Sequence, residues 1–249
     1  MKIVVNPTYA AYESFFKDLP SRFEREGISL HRGRNQVKQF ELPDGTPCVV
    51  KRYKVPHLLQ RVVYRWFRPS KARRAYAFAL RLAEMEIDTP TPMCYIEKSS
   101  GLLFADSYFV STRCDYPPLY PVLFEAEQFD PELASSLAGF LVEMHQKGFL
   151  HGDLNLTNIL YHEGIDGEVK FTVIDTNRSH FIEEPTKEQC LHNLVRLTHR
   201  HELMCYVVKD YARLRGWDVE SSWEKVHVDL IAFEKKEERK RKLKRKLRK

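Results

Sequence analysis

The chain has 249 residues, a 43% hydrophobic and 12% aromatic composition, and a formal charge of +6. That length can bury a sizeable core, as one domain or as two closely joined lobes. No apolar run approaches the roughly 18 residues of a membrane span, and residues 1–5 break at Asn6-Pro7, too short for a signal peptide. Five scattered cysteines (Cys48, Cys94, Cys114, Cys190, Cys205) with no C-x-x-C pair predict reduced structural thiols in the cytosol.

In chain order, Phe15, Phe16, Leu19 and Phe23 recur at helical spacing around Pro20, with Gly27 beyond. Residues 28–35, 36–42 and 46–53 read as strands, with Pro43-Asp44-Gly45 as a turn. Residues 70–86 are rich in helix formers and lack Gly and Pro, so a helix is expected there until Thr89-Pro90-Thr91-Pro92 stops it. Strands over 93–97 and 107–112 follow. Pro117, Pro118 and Pro121 mark a linker, the natural hinge between two lobes. Asp130-Pro131-Glu132 supplies an N-cap, a first-turn proline and a first-turn acid. Leu133, Leu137, Phe140, Leu141 and Met144 line one face of the helix it opens, and Gly148 closes it.

A hairpin is expected next, with strands at 159–161 and 169–174 and Asp166-Gly167 in its turn. Helices near 186–202, 203–216 and 222–245 complete the chain. His192, His199 and His201 are neighbours in sequence, but no Cys or acid stands at matching ligand spacing and no metal is assigned to them. Residues 235–249 hold 11 Lys/Arg against two Glu, a net +9, which leaves −3 on the rest. The basic character belongs to the tail.

The chemistry lies in His151-Gly152-Asp153-Leu154-Asn155-Leu156-Thr157-Asn158. Asp153 and Asn158 keep the spacing H-x-D-x-x-x-x-N, and the hairpin leads to a second acid, Asp175, at a strand end. An acid, an amide, a hairpin and a second acid in this order make a phosphoryl-transfer site. The arrangement resembles the catalytic core of the protein-kinase fold. The resemblance implies that Asp153 orients and deprotonates the attacking hydroxyl, while Asn158 and Asp175 hold magnesium. Lys51 would then aim its ammonium at the α- and β-phosphates of ATP. On its own, a lysine on a strand reads as a solvated edge residue, and the downstream motif gives it this role. Gly33, Arg34 and Asn35 would form the turn that covers the phosphates, with one glycine where protein kinases have three.

Gly33-Arg34-Asn35, Lys51, Ser70-Lys71-Ala72-Arg73-Arg74, Thr89-Pro90, His151-Gly152-Asp153, Asn158 and Ile174-Asp175-Thr176-Asn177-Arg178 resemble, in order, the bacterial lipopolysaccharide core kinase family. The resemblance runs from about residue 28 to about residue 215. It implies an α+β, two-lobed protein-kinase-like fold with a small β-rich N-lobe and a mainly helical C-lobe. The expected boundaries are 1–116, 117–234 and a basic tail over 235–249. It also implies ATP with Mg2+ as cofactors and a lipopolysaccharide core glycolipid, through a Kdo or heptose hydroxyl, as acceptor. His151 is expected to be a scaffold for the loop. The expected location is the cytoplasm, peripheral on the inner face of the inner membrane, with the tail drawn to the anionic surface.

Two local features argue against a protein kinase. Gly152 stands where H-R-D carries Arg, and neither D-F-G nor A-P-E bounds an activation segment. One departure touches the family reading too. The helix after Lys51 should offer a Glu to pair with it, but by register that position is Ala77, and Glu84 lies two turns further on. An unpaired Lys51 would mean a slow enzyme, a misplaced register, or a protein that binds nucleotide without turnover. The competing readings are a catalytically weak kinase-like protein binding anionic glycolipid or a protein partner, which Ala77 favours, and a soluble small-molecule phosphotransferase resembling the aminoglycoside phosphotransferases, which also use H-G-D and lack D-F-G. Nucleic acid is not expected, because no aromatic residue interrupts the tail and the body is slightly acidic. Oligomeric state has no signal in the sequence.

Overall fold

The computed structural model describes residues 1–33, 35–53, 69–100, 103–165 and 167–246. The chain divides into two compact units, Met1–Asp115 with Asp175–Asn177, and Tyr116–Ile174 with Arg178–Lys249.

The first unit contains β1 (Lys2–Val5), α1 (Glu13–Arg25), β2 (Ile28–Arg32), β3 (Gln36–Glu41), β4 (Pro47–Tyr53), α2 (Lys71–Glu84), β5 (Pro92–Ser100) and β6 (Leu103–Thr112). The strands make one six-stranded antiparallel sheet in the order β1-β5-β6-β4-β3-β2. β1 is an addition to the sequence reading: Val4 and Val5 pair with Tyr95 and Cys94, and a four-residue run is too short to announce itself by alternation. β5 and β6 are also longer than expected.

Alternation along β4 decides which side chains meet which helix. Cys48 and Val50 join the core beneath α1, with Phe16, Leu19, Phe23, Phe40, Ile96, Tyr108 and Val110. Phe23 is its centre, 5.6 Å edge-on to Tyr108 and 6.1 Å from Phe40. Tyr53 points to the other face and packs with Ala72, Ala75, Tyr76 and Tyr95 beneath α2. Lys51 shares Tyr53's parity and lies over its ring, 5.6 Å from the centroid. The small residues of α2 let the helix sit close to the sheet. Ser70 caps it by accepting from Arg73 N at 3.0 Å.

In the second unit, one turn of π-helix at Tyr120–Glu125 occupies the proline-rich linker. It is followed by α3 (Pro131–Gln146), β7 (Phe149–Leu150), β8 (Ile159–Glu163), β9 (Val169–Val173) and β10 (His180–Phe181). The last three helices are α4 (Lys187–Leu194), α5 (His201–Leu214) and α6 (Val219–Lys246). Asp130 accepts from Glu132 N and Leu133 N, and Gly148 ends α3 with φ +80°. β8 and β9 form the expected hairpin, from Ile159↔Val173 to Glu163↔Val169.

The helix expected over 186–202 stops at Leu194. The chain then turns, and the Leu197 carbonyl accepts from Leu156 N in the Asp153 loop at 3.2 Å. A continuous helix would have kept that carbonyl for its own ladder. α6 docks through Ser222, Val226 and Leu230. Among the described residues no helix is long and apolar enough to cross a membrane.

Candidate active site

The Asp153 loop is held by its own polar side chains. Leu154 and Leu156 are buried and anchor it to the core of the second unit. Between them, the Asp153 carbonyl accepts from Asn155 Nδ2 and Asn158 Nδ2, each at 2.9 Å. Asn158 also ties the loop to the hairpin, its carbonyl accepting from Ile174 N at 3.0 Å.

Both nitrogens of His151 are engaged, which fixes its tautomer. Nε2 faces the Ile174 carbonyl at 2.9 Å, an acceptor only, so Nε2 carries the proton. Nδ1 then accepts from Asp153 N at 3.1 Å. A neutral imidazole with both sides committed is a scaffold.

Beneath this loop lies a network absent from the sequence reading. Asn193 on α4 donates to the His151 carbonyl at 2.9 Å, so its Oδ1 accepts from His145 Nε2 on α3 at 3.0 Å. His145 Nδ1 accepts in turn from the Tyr211 hydroxyl on α5 at 2.8 Å. Burial pushes the His145 pKa down to about 4. The signal available was a histidine among the apolar residues of α3, which periodicity alone assigns to packing.

Gly152 has a steric reason. A Cβ there would lie 2.0 Å from the Arg178 carbonyl oxygen and 2.7 Å from Arg178 Cβ. β7 pairs with β10 (Leu150↔His180), and Gly152 N donates to Ser179 Oγ at 3.2 Å. The arginine of H-R-D is missing because another segment's backbone fills its space. That approach carries the Arg178 guanidinium to 3.6 Å from Asp153 Oδ2, while Arg196 stands 3.5 Å from Oδ1. The Asp153 side chain is 36% exposed between them.

In the first unit Lys51 Nζ lies 2.7 Å from Asp175 Oδ1. The expectation of an unpaired Lys51 is therefore corrected: its acid is Asp175 rather than a residue of the helix. Ala77 and Glu84 are both exposed, on the side of α2 away from Ala72, Ala75, Tyr76 and Ala79. The register that put Ala77 opposite Lys51 was wrong. Asp175 has φ +58°, a left-handed conformation unusual for a residue with a Cβ, and Asn177 Nδ2 donates to its carboxylate. Burial raises the Tyr53 pKa well above the ordinary phenol value, and the Asp175 charge adds to the rise; Arg74 opposes both. α2 thus directs a cation towards this group.

Lys51 and Asp175 are brought together in one unit, Asp153 and Asn158 in the other. In the β2–β3 turn Gly33 N donates to the Asn35 carbonyl at 3.2 Å, and a Cβ at Gly33 would meet the His31 ring. Arg34 lies outside the described residues. Among the described residues no group of three or more His, Cys, Asp or Glu could hold a metal by itself. The donors present, the Asp175 carboxylate and the Asn158 amide oxygen, are hard oxygens. Each, taken singly in its own unit, is a donor of the type magnesium takes.

A β-sheet unit followed by a mainly helical unit, with H-G-D…N at a loop and Asp175 after a hairpin, defines a protein-kinase-like fold. Solved structures agree. The chain matches "WaaP in complex with acyl carrier protein" with a TM-score of 0.62 at 17% identity, covering 96% of this chain and 99% of that one. An aminoglycoside-3'-phosphotransferase of type VIII matches with a TM-score of 0.56 at 14% identity, covering 87% of this chain and 97% of that one. The profile of the lipopolysaccharide kinase (Kdo/WaaP) family matches residues 54–217, more than half of the chain, and the chain belongs to that family. Among curated proteins, 3-deoxy-D-manno-octulosonic acid kinase of Vibrio vulnificus (strain YJ016) is 26% identical over 151 residues, which span 59% of this chain and 61% of the relative. The family match begins after Lys51 and the 33–35 turn, so their assignments rest on geometry and on the kinase resemblance.

Proposed function

We propose that this protein is an ATP-dependent kinase that phosphorylates a hydroxyl of a lipopolysaccharide inner-core sugar, Kdo or heptose, with Asp153 as general base. The observation that carries this reading is the construction of the Asp153 loop. His151 is neutral and committed at both nitrogens, and the Asn155 and Asn158 amides hold the Asp153 backbone. The partly exposed Asp153 carboxylate is the group left to accept a proton. Membership of a lipopolysaccharide kinase family supports the reaction class, and the octulosonic acid kinase relative supports the acceptor class.

Lys51 and Arg74 would bind nucleotide phosphates, Lys51 exchanging its Asp175 partner for them. Asp175 and Asn158 would hold Mg2+, and Gly33, Arg34 and Asn35 would cover the phosphates. When bound, the metal neutralises charge on the transferring phosphoryl group. Asp153 accepts a hydrogen bond from the acceptor hydroxyl, orients it and takes its proton as the oxygen attacks.

The work is done, on this reading, at the cytoplasmic face of the inner membrane, where the basic end of α6 would meet anionic lipid. The catalytically weak alternative loses the support it drew from Ala77, which lies on the exposed side of α2 and does not mark a missing partner of Lys51. Incubation with labelled ATP and lipid A–core acceptors, followed by mass spectrometry of the product, tests the proposal. A product one phosphate heavier on a core sugar is expected. Transfer to a soluble aminoglycoside alone would favour the small-molecule phosphotransferase instead.

A further inference from the structure

Resting on the kinase reading above, we propose that Arg178 and Arg196 form the acceptor's anion subsite: they bind a carboxylate beside the reacting hydroxyl and select acidic over neutral sugars. Two guanidiniums stand 3.6 and 3.5 Å from one carboxylate, Asp153, so the trio carries a net positive charge. Neither contact is a close bidentate pair. A guanidinium offers five N–H donors in a planar fork matched to carboxylates, and these distances leave most of that capacity unused. A neutral sugar hydroxyl needs only Asp153. An acid group on the same sugar would complete the charge balance and fix which hydroxyl faces the base.

Both arginines are mounted rather than loosely displayed. Arg178 is carried in by the backbone that fills the space over Gly152, with β7 and β10 paired on one side. Arg196 lies over the Phe233 ring of α6, 5.2 Å from its centroid, in the turn that replaces the end of α4. Glu237, among the described residues, also acts on Arg196, and its carboxylate already accepts from Lys240 at 2.6 Å. Phe233 is thus a positioning residue for Arg196.

The test uses the full chain with Mg-ATP and three acceptors: a lipid A precursor bearing 3-deoxy-D-manno-octulosonic acid, the same lipid with that carboxylate reduced to an alcohol, and the same lipid with its phosphates removed. Wild type should prefer the first over the second by about 10- to 100-fold in kcat/KM, the range of one or two charge-assisted hydrogen bonds. Removing the lipid phosphates should matter much less. R178Q and R196Q should raise the acceptor KM and erase the preference, leaving the KM for ATP near wild type, and R196K should restore part of it. F233A, a change at a partly exposed position, should weaken the preference in the same direction. A wild type indifferent to carboxylate reduction, or variants that lower kcat equally on every acceptor or raise the KM for ATP, would overturn the subsite. A wild type dependent on the lipid phosphates instead would reassign the arginines to phosphate and overturn the carboxylate claim. If wild type phosphorylates none of the three but does phosphorylate a heptose-bearing core acceptor, the subsite falls while the kinase reading stands; if it phosphorylates none of these, the kinase reading itself falls, and the subsite with it.

Discussion

At the scale of single residues, the loop separates groups that hold geometry from Asp153, the group proposed to do chemistry. Asp153→Asn keeps shape and hydrogen bonding but removes the basic carboxylate, and a positioned base is typically worth about 10²–10⁴-fold. Turnover should fall by that order with nucleotide affinity nearly unchanged; a fully active variant would reject Asp153 as base. Two glycines give an opposed pair. Gly152→Ala has to displace the Arg178 carbonyl, whereas a Cβ at Gly139 within α3 meets nothing within 4 Å. Thermal unfolding should find Gly139→Ala stabilised by about 0.5–1 kcal/mol. Gly152→Ala should be destabilised and should lose activity. The H-G-D…N spacing made it legible in the sequence that Asp153 and Asn158 share one loop, which the Asn158 amide closes on the Asp153 carbonyl. Arg196 was not legible, because its approach depends on a turn that residues 195–200, with neither Gly nor Pro, do not announce.

At the scale of elements, the hairpin, the capped helix α3 and the strands around Lys51 were legible because turn residues and alternation agree there. α2 was legible as a helix but not in its facing, since alanines occupy both sides. Ala77→Glu places its carboxylate on the exposed side, so steady-state turnover should stay within about two-fold of wild type; a large activation would restore the discarded register. The His145–Asn193–Tyr211 chain joins α3, α4 and α5 under the Asp153 loop. With its pKa pushed down to about 4 from the ordinary 6.5, folded His145 stays neutral where the unfolded chain takes up a proton. Its contribution is fully present above about pH 6.5 and is lost as pH falls towards 4. At pH 5 the loss is about 2 kcal/mol. Urea unfolding at pH 7.5 and pH 5 should show a smaller pH-dependent drop for His145→Gln than for wild type, although the variant starts less stable. Equal drops would mean that other groups carry the acid sensitivity.

At the scale of the whole molecule, charge is segregated, with +9 on residues 235–249 and −3 on the rest. Each Lys or Arg close to an anionic leaflet contributes about 1 kcal/mol, decaying over a Debye length of roughly 8 Å at physiological salt. Deleting residues 235–249 should reduce sedimentation with anionic liposomes and flatten its salt dependence. Phosphorylation of a soluble acceptor should survive, because the last buried described residue of α6 is Leu230. Identical liposome binding by full-length and truncated chains at low and high salt would reject the tail as a tether. The sequence made this charge visible but left its form open.

That form is a helix continuous through Lys246. At about 1.5 Å per residue it extends roughly 24 Å past Leu230. A flexible leash of the same composition would sample many distances, and its reach would grow only with the square root of its length. A rod has one reach. Its cations also wind around the axis rather than forming one stripe, so a flat surface meets only part of them at a time. If the tail meets an anionic surface as proposed, the segment would act as a spacer of fixed length with charge to spare on its far sides, and shortening it by single turns would change standoff in steps of about 5.4 Å.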